Sequence, residues 1–161
     1  MKRSIRLERV YPHPIEHVWA ALTDSRALAT WLMENDFEPK LGHRFNFRMR
    51  PRPGFDGIVH CEVIEFESPR RIAYTWHGGP GQGKPRLLDT VVRFTLDSTN
   101  EGTRLVLEHT GFDGFKAVLL SFMLGSGWRT MMRGALPDVI SRLARGEQVS
   151  GVRAHSRRSE D

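Results

Sequence analysis

Apolar and polar residues alternate along Ser4 to Tyr11, where Ile5 and Leu7, with Val10 near the end, are set against Arg6, Glu8 and Arg9. A period of two predicts a half-buried strand. Pro12 and Pro14 stop it, and Pro14 suits a first helical turn, where its missing N–H is not needed. Ile15, Val18, Trp19 and Leu22 then recur at helical spacing as far as Thr23-Asp24-Ser25. Ser25 is the expected cap of a second short helix carrying Leu28, Trp31 and Leu32. Two helices this short cannot form a core alone and must lie on another layer.

The period of two returns from His43 to Met49, with Phe45, Phe47 and Met49 on one face and Arg44, Asn46 and Arg48 on the other. The turn Pro51-Arg52-Pro53-Gly54 leads to a strand from Gly57 to Phe66, which Ser68-Pro69 ends. Ile72, Tyr74 and Trp76 alternate on the next strand. A glycine-rich loop, Gly78 to Gly83, precedes Asp89 to Leu96, where Val92, Phe94 and Leu96 share a face. After the turn Thr99 to Gly102, Thr103 to His109 supplies Leu105 and Leu107. Strands joined by short turns predict an antiparallel meander, not a βαβ array. From Phe115 to Arg145 the spacing is helical again, through Leu119, Phe122, Met123, Met131, Leu136, Val139, Ile140 and Leu143. Gly125, Gly127, Gly134 and Pro137 interrupt it, so one kinked helix or two collinear pieces are expected. The fold class is therefore α+β. A curved antiparallel sheet of about six strands wraps a long C-terminal helix in one domain over residues 1–145. Residues 146–161 are polar and are expected to form a disordered tail.

Composition narrows the picture. A chain of 161 residues can bury a sufficient core without disulfide or metal staples. The lone cysteine, Cys61, excludes an intramolecular bridge and a cysteine-based zinc site, and fits a reducing cytoplasm. The charged start lacks the apolar segment of a secretory signal. The longest apolar run, around Ala117 to Leu124, falls well short of the roughly 20 residues that span a bilayer. A cytoplasmic protein with no membrane partner is expected. The net charge of +5 raises nucleic acid as a partner. However, Arg44, Arg48, Arg50 and Arg52 alternate along one strand and its turn, and Arg153, Arg157 and Arg158 sit in the tail. Neither set is a basic run interleaved with aromatics.

Candidate chemistry follows from the inward faces. Phe45, Phe47, Tyr74, Trp76, Phe94 and Leu107 from the sheet would face Phe122, Met123, Met131 and Met132 from the long helix, with Trp31 and Phe37 at the mouth. Such a set either lines an adaptable apolar pocket or packs on itself. His109 continues the period of Leu105 and Leu107 and is the leading polar candidate inside, beside the Tyr74 hydroxyl. Cys61 has no activating neighbour at motif spacing and is expected to be inert. Gly78 to Lys84 has the glycine spacing of a phosphate loop. Pro85 then stands where a hydroxyl residue should open a helix, so it is a hairpin loop. His13 and His17 straddle Pro14 and make no metal site, and Gly125-Ser126-Gly127 lacks the spacing of a nucleophile elbow. No cofactor, metal or catalytic residue is assigned.

Several strings sharpen this reading. His13 to Asp24 (HPIEHVWAALTD) with Trp31, Glu38 to Phe47 (EPKLGHRFNF), Glu65 to Trp76 (EFESPRRIAYTW), Gly102 to Phe112 (GTRLVLEHTGF) and Gly127-Trp128 occur in the order found in one family. That family is the activator of Hsp90 ATPase homologue 1-like group, of the START-like, Bet v 1-like (SRPBCC) superfamily. The resemblance covers residues 4 to 145 and implies a helix-grip fold with an internal apolar cavity of about several hundred Å³. It implies binding of a small hydrophobic molecule such as a lipid, polyketide or aromatic metabolite, gated by the long helix and the Gly78 to Gly83 loop. A cyclase- or dehydratase-like enzyme using His109 is the alternative, and would need a second inward acid or base. A protein-interaction module is another, and a filled interior with an exposed apolar patch would favour it. The eukaryotic co-chaperone of this name resembles the chain only in its C-terminal domain, so Hsp90 activation is not implied. Related domains dimerise, but no residue here specifies a homodimer interface.

Overall fold

A computed structural model describes residues 1–149. Between β1 (Lys2–Tyr11) and β2 (Glu34–Asn35) the chain forms α1 (Ile15–Thr23) and α2 (Ser25–Trp31). The meander follows as β3 (Arg44–Arg48), β4 (Ile58–Glu67), β5 (Arg71–Gly78), β6 (Leu88–Thr99) and β7 (Gly102–Asp113). β1 returns to pair with β7, giving one antiparallel sheet in the order β1-β7-β6-β5-β4-β3-β2. The strand beyond the six expected is β2, which pairs Glu34 with Arg48 and Asn35 with Phe47. Two residues carry no readable period.

The C-terminal helix is two pieces, α3 (Phe115–Arg133) and α4 (Ala135–Ala144). The break is at Gly134, whose φ of −125° and ψ of −79° leave the helical region. Pro137 falls in the first turn of α4, where no N–H is required. α3 lies on β1 and β7, while α4 packs on α1 and α2. The core fills the space between these helices and one face of the sheet. This is the helix-grip arrangement.

Local chemistry sets two details that the periodicity missed. Asp24, not Ser25, caps α2: its carboxylate accepts from the N–H groups of Arg26 and Ala27 at 2.8 and 3.1 Å. Ser25 is the first helical residue and donates its hydroxyl to Asn35 Oδ1 at 2.9 Å, tying α2 to β2. In β7, the pairing with β1 passes from Phe112↔Arg3 to His109↔Ile5, three residues on one strand against two on the other. Gly111, with φ of 100°, lies within this bulge. The bulge resets the alternation, so both His109 and Phe112 are buried.

The chain stays attached past the expected boundary at residue 145, because Val149 is 5% exposed and belongs to the core. The expected disordered tail otherwise falls on residues 150–161, outside the described residues. Among the described residues, no helix is long and apolar enough to cross a membrane.

Candidate ligand site

The inward residues of β3, β5 and β6 form a continuous ladder of rings. Alternation on β5 sends Tyr74 and Trp76 to the core face, and pairing sets Ile72 opposite Phe94 and Tyr74 opposite Val92. Tyr74 lies 5.3 Å from Phe45, 5.9 Å from Phe47 and 6.3 Å from Phe94, ring centre to ring centre. Phe37 meets Phe45 edge-on at 5.1 Å. Trp128 of α3 closes the other end, 5.5 Å from Trp76 and 6.1 Å from Phe94. Trp31 of α2 lies 6.4 Å from both Trp128 and Phe94. These are edge and tilted contacts of the favourable kind. The rings fill the interior by touching one another.

The polar tips of this ladder differ in one respect. Trp31 donates its indole N–H to the carbonyl of Ala21 at 2.8 Å. Tyr11, beside α3, donates to the carbonyl of Met132 at 2.7 Å. Trp128 donates to Nδ1 of His109 at 3.1 Å. An indole can only donate, so Nδ1 accepts and the imidazole proton sits on Nε2, 2.8 Å from Thr90 Oγ1. The Thr90 hydroxyl in turn donates to the carbonyl of Trp76 at 2.8 Å. His109 is thus a neutral ring with both nitrogens engaged, and burial pushes its pKa down to about 3. Tyr74 is the exception: its hydroxyl is buried and has no hydrogen-bond partner among the described residues. Burial, followed by the neighbouring Cys61, raises its pKa well above the usual value. An unpartnered hydroxyl in such a place costs about 1–3 kcal/mol.

Of the residues expected to line the interior, Trp31, Phe37, Phe45, Phe47, Tyr74, Trp76, Phe94, Leu107, His109 and Met132 are all buried in one cluster, His109 apart from the apolar set. Met131 is half-buried at its edge. Phe122 and Met123 are corrections: they are 57% and 59% exposed, on the outer side of α3. The inner side carries Ala117, Ser121 and Gly125 instead, and a Cβ on Gly125 would stand 3.7 Å from the Ile5 side chain. The helix approaches β1 through small residues, which turns the bulky ones outward. Thr90, Phe112 and Trp128 join the ladder, and sequence reasoning did not place them there. Helical spacing from Trp128 back to Gly125 and Ser121 was the available signal.

The glycine-rich loop also differs from expectation. It does not lie over the ladder but leans on the opposite face of the sheet, where Asp56 N–H donates to Gly79 and Leu87 N–H to Gly78. There it borders an open cleft of about 810 Å³ with Arg44, His60, Glu62, Thr75 and His77. In the cleft Arg44 pairs with Glu62 at 2.9 Å, and His77, whose pKa burial lowers, lies between Arg86 at 3.0 Å on Nδ1 and Asp89 at 2.6 Å on Nε2. No group of His, Cys, Asp and Glu among the described residues is placed to hold a metal ion.

Comparison with known proteins places this geometry. Residues 12–139 match the family described as Activator of Hsp90 ATPase homolog 1-like protein. No curated protein matches the chain. Among solved structures, MLL2253 from Mesorhizobium loti is 34% identical with a TM-score of 0.76, over 87% of this chain and 98% of that one. BH1534 from Bacillus halodurans is 26% identical with a TM-score of 0.69, over 87% and 99%. CalU16 from Micromonospora echinospora shares the fold at 24% identity and a TM-score of 0.62, over 98% and 81%.

Proposed function

The chain belongs to the Activator of Hsp90 ATPase homolog 1-like family, and from that premise we propose that it binds a small, mainly apolar molecule within the aromatic ladder, with the Tyr74 hydroxyl recognising its polar end. The fold is in general one of ligand-binding and polyketide-cyclase-like domains. The observation that carries the reading is the unpartnered Tyr74 hydroxyl, since a hydroxyl buried among Phe45, Phe47 and Phe94 gains most when a guest supplies the missing partner. A lipid, polyketide or aromatic metabolite carrying one carbonyl or hydroxyl has that chemistry.

Because the rings are in mutual contact, a guest must displace some of them. Phe37 is the candidate plug, since it sits on the β2–β3 connection and covers Phe45, which covers Tyr74. That connection is held by local bonds, which its lifting would break. Phe37 N–H donates to Asn35 Oδ1 at 2.9 Å, Asp36 accepts from the N–H of Asn46 at 2.7 Å, and His43 Nε2 meets the Asp36 carbonyl at 3.0 Å. Gly42 and His43 exchange backbone bonds with Val63 of β4 at 2.8 and 3.0 Å. Lifting residues 36–43 would expose Tyr74 without disturbing β6 and β7. The enzyme alternative loses support, because His109 is engaged at both nitrogens and no second acid or base accompanies it in the ladder.

Tyr74→Phe tests the reading. Removing a hydroxyl that has no partner is expected to leave folding stability unchanged or raise it by about 1 kcal/mol. The same change is expected to weaken a guest recovered by solvent extraction and native mass spectrometry about tenfold, as for loss of one buried hydrogen bond. A Tyr74→Phe protein that is clearly less stable than wild type, with unaltered guest affinity, would sink the proposal. The filled interior and an exposed apolar patch on α3 also favour a docking role, which the patch itself supports independently.

A further inference from the structure

α3 is apolar on two opposite sides. Ala117, Ser121, Gly125, Trp128 and Met132 face the domain. Phe115, Leu119, Phe122 and Met123, at spacings of four, three and one, form a second stripe that is 66%, 54%, 57% and 59% exposed. Of the other large exposed side chains, Val10 lies on β1 and Ile64 on β4, while Leu41 and Met49 lie in the connections before and after β3. Met1 lies beside the start of the stripe, since its carbonyl accepts from Gly114 N–H at 2.9 Å. Arg3 fixes the middle: its guanidinium stands 3.7 Å from the ring centre of Phe122 and donates to Ser121 Oγ at 2.8 Å.

The charges that α3 itself carries have one sign. α3 contains Lys116, Arg129 and Arg133 and no acidic residue, and none of the three is ion-paired among the described residues. Lys2 and Arg3 of β1 extend the rim. The nearest acid in sequence, Asp113, opposes Lys2 across the β1–β7 ladder. The whole chain carries +5.

From the stripe and its rim we infer that the outer face of α3 docks on an anionic lipid surface. Phenylalanine, leucine and methionine side chains on a helix lying in the interface plane insert about 5–10 Å into the headgroup boundary, while lysine and arginine meet the anionic headgroups. A second copy of the chain is a poorer occupant. Two-fold pairing of the same patch would oppose cation to cation. The stripe also covers roughly a few hundred Å², against about 800 Å² on each side of a standard protein interface. Partial insertion leaves the helix packed on β1 and demands no refolding. The surface does not depend on the ladder holding a guest.

Vesicle flotation of the full chain tests this, using phosphatidylcholine vesicles with and without phosphatidylglycerol. Recovery is expected only with the anionic vesicles, at least about tenfold above the neutral ones, and it should fall at high salt. Leu119→Ser with Phe122→Ser is expected to lower recovery about tenfold or more, and Lys116→Glu with Arg129→Glu should do the same. All four positions are exposed, so an unchanged circular dichroism spectrum and Tm should accompany both losses. No recovery with either vesicle, or equal recovery with both, would overturn the inference. So would concentration-dependent dimerisation in sedimentation, lost in the Leu119→Ser, Phe122→Ser protein, without vesicle binding.

Discussion

At the scale of single residues, His109 and Tyr74 exchange the roles that the strand pattern gave them. A period of two put both side chains inside, and both are. It could not say which would find a partner, because Thr90 and Trp128, the partners of His109, come from β6 and α3. That pairing depends on strand register and helix rotation, which one strand does not encode. The consequence for His109 is measurable. Its folded pKa is depressed to about 3 from 6.5, so the unfolded chain takes up a proton below pH 6.5 that the native ring refuses. The stabilisation from holding this ring neutral is therefore complete above about pH 6.5 and is lost as pH falls toward 3. Over pH 6 to 4 the slope is about 1.4 kcal/mol per pH unit from this group. Urea midpoints at several pH values should show it. His109→Leu should be less stable at pH 7, since the Trp128 donor loses its acceptor, and should lack that component of the acid slope. Equal slopes in the two proteins would mean that His109 is not held neutral by the fold.

At the scale of elements, the strands were legible and the helix face was not. Each strand of the meander carries one apolar face and meets a glycine or proline at its end or within three residues of it, so its existence and inward residues follow from the sequence. α3 offers apolar residues on both sides, and bulk argued for the wrong one. The deciding feature is the run Ala117, Ser121, Gly125, whose small size permits close packing on β1. The same limit hid the β7 bulge, since Gly111 inserts one residue and moves Phe112 to the face of His109. Gly125→Leu tests this account of α3. The added side chain would meet Ile5, which lies in ordinary contact distance of a Cβ at this position, and would push the helix from the strand. An overpacked site of this kind costs about 1–3 kcal/mol, although leucine is the better helix former. Gly127→Leu, where a Cβ meets nothing within 4 Å, should be neutral or stabilising. A calorimetric comparison of the two variants separates packing from helix propensity.

At the scale of the whole molecule, the order strand, two helices, meander and closing helix was enough to place the layers, and five sequence strings placed the family. What order alone leaves open is how tightly the layers close, because ring-on-ring contact and an open pocket use the same residues. The chain carries its own reporter of that closure. Cys61, the lone cysteine, is buried, pairs with Phe45 across β3 and β4, and neighbours Tyr74. Its thiol is held protonated by burial, so an aromatic disulfide reagent can reach a thiolate only when the structure opens. If residues 36–43 lift to admit a guest, Cys61 should react much more slowly than a free thiol, yet faster than global unfolding allows. Phe37→Ala should accelerate labelling by removing the plug over Phe45, with β6 and β7 amides still exchanging slowly. A saturating guest in the ladder should slow labelling in proportion to its occupancy. Labelling at the global unfolding rate would mean that the ladder opens only when the fold is lost. A labelling rate indifferent to a tightly bound guest would place that guest outside the ladder, whatever its affinity.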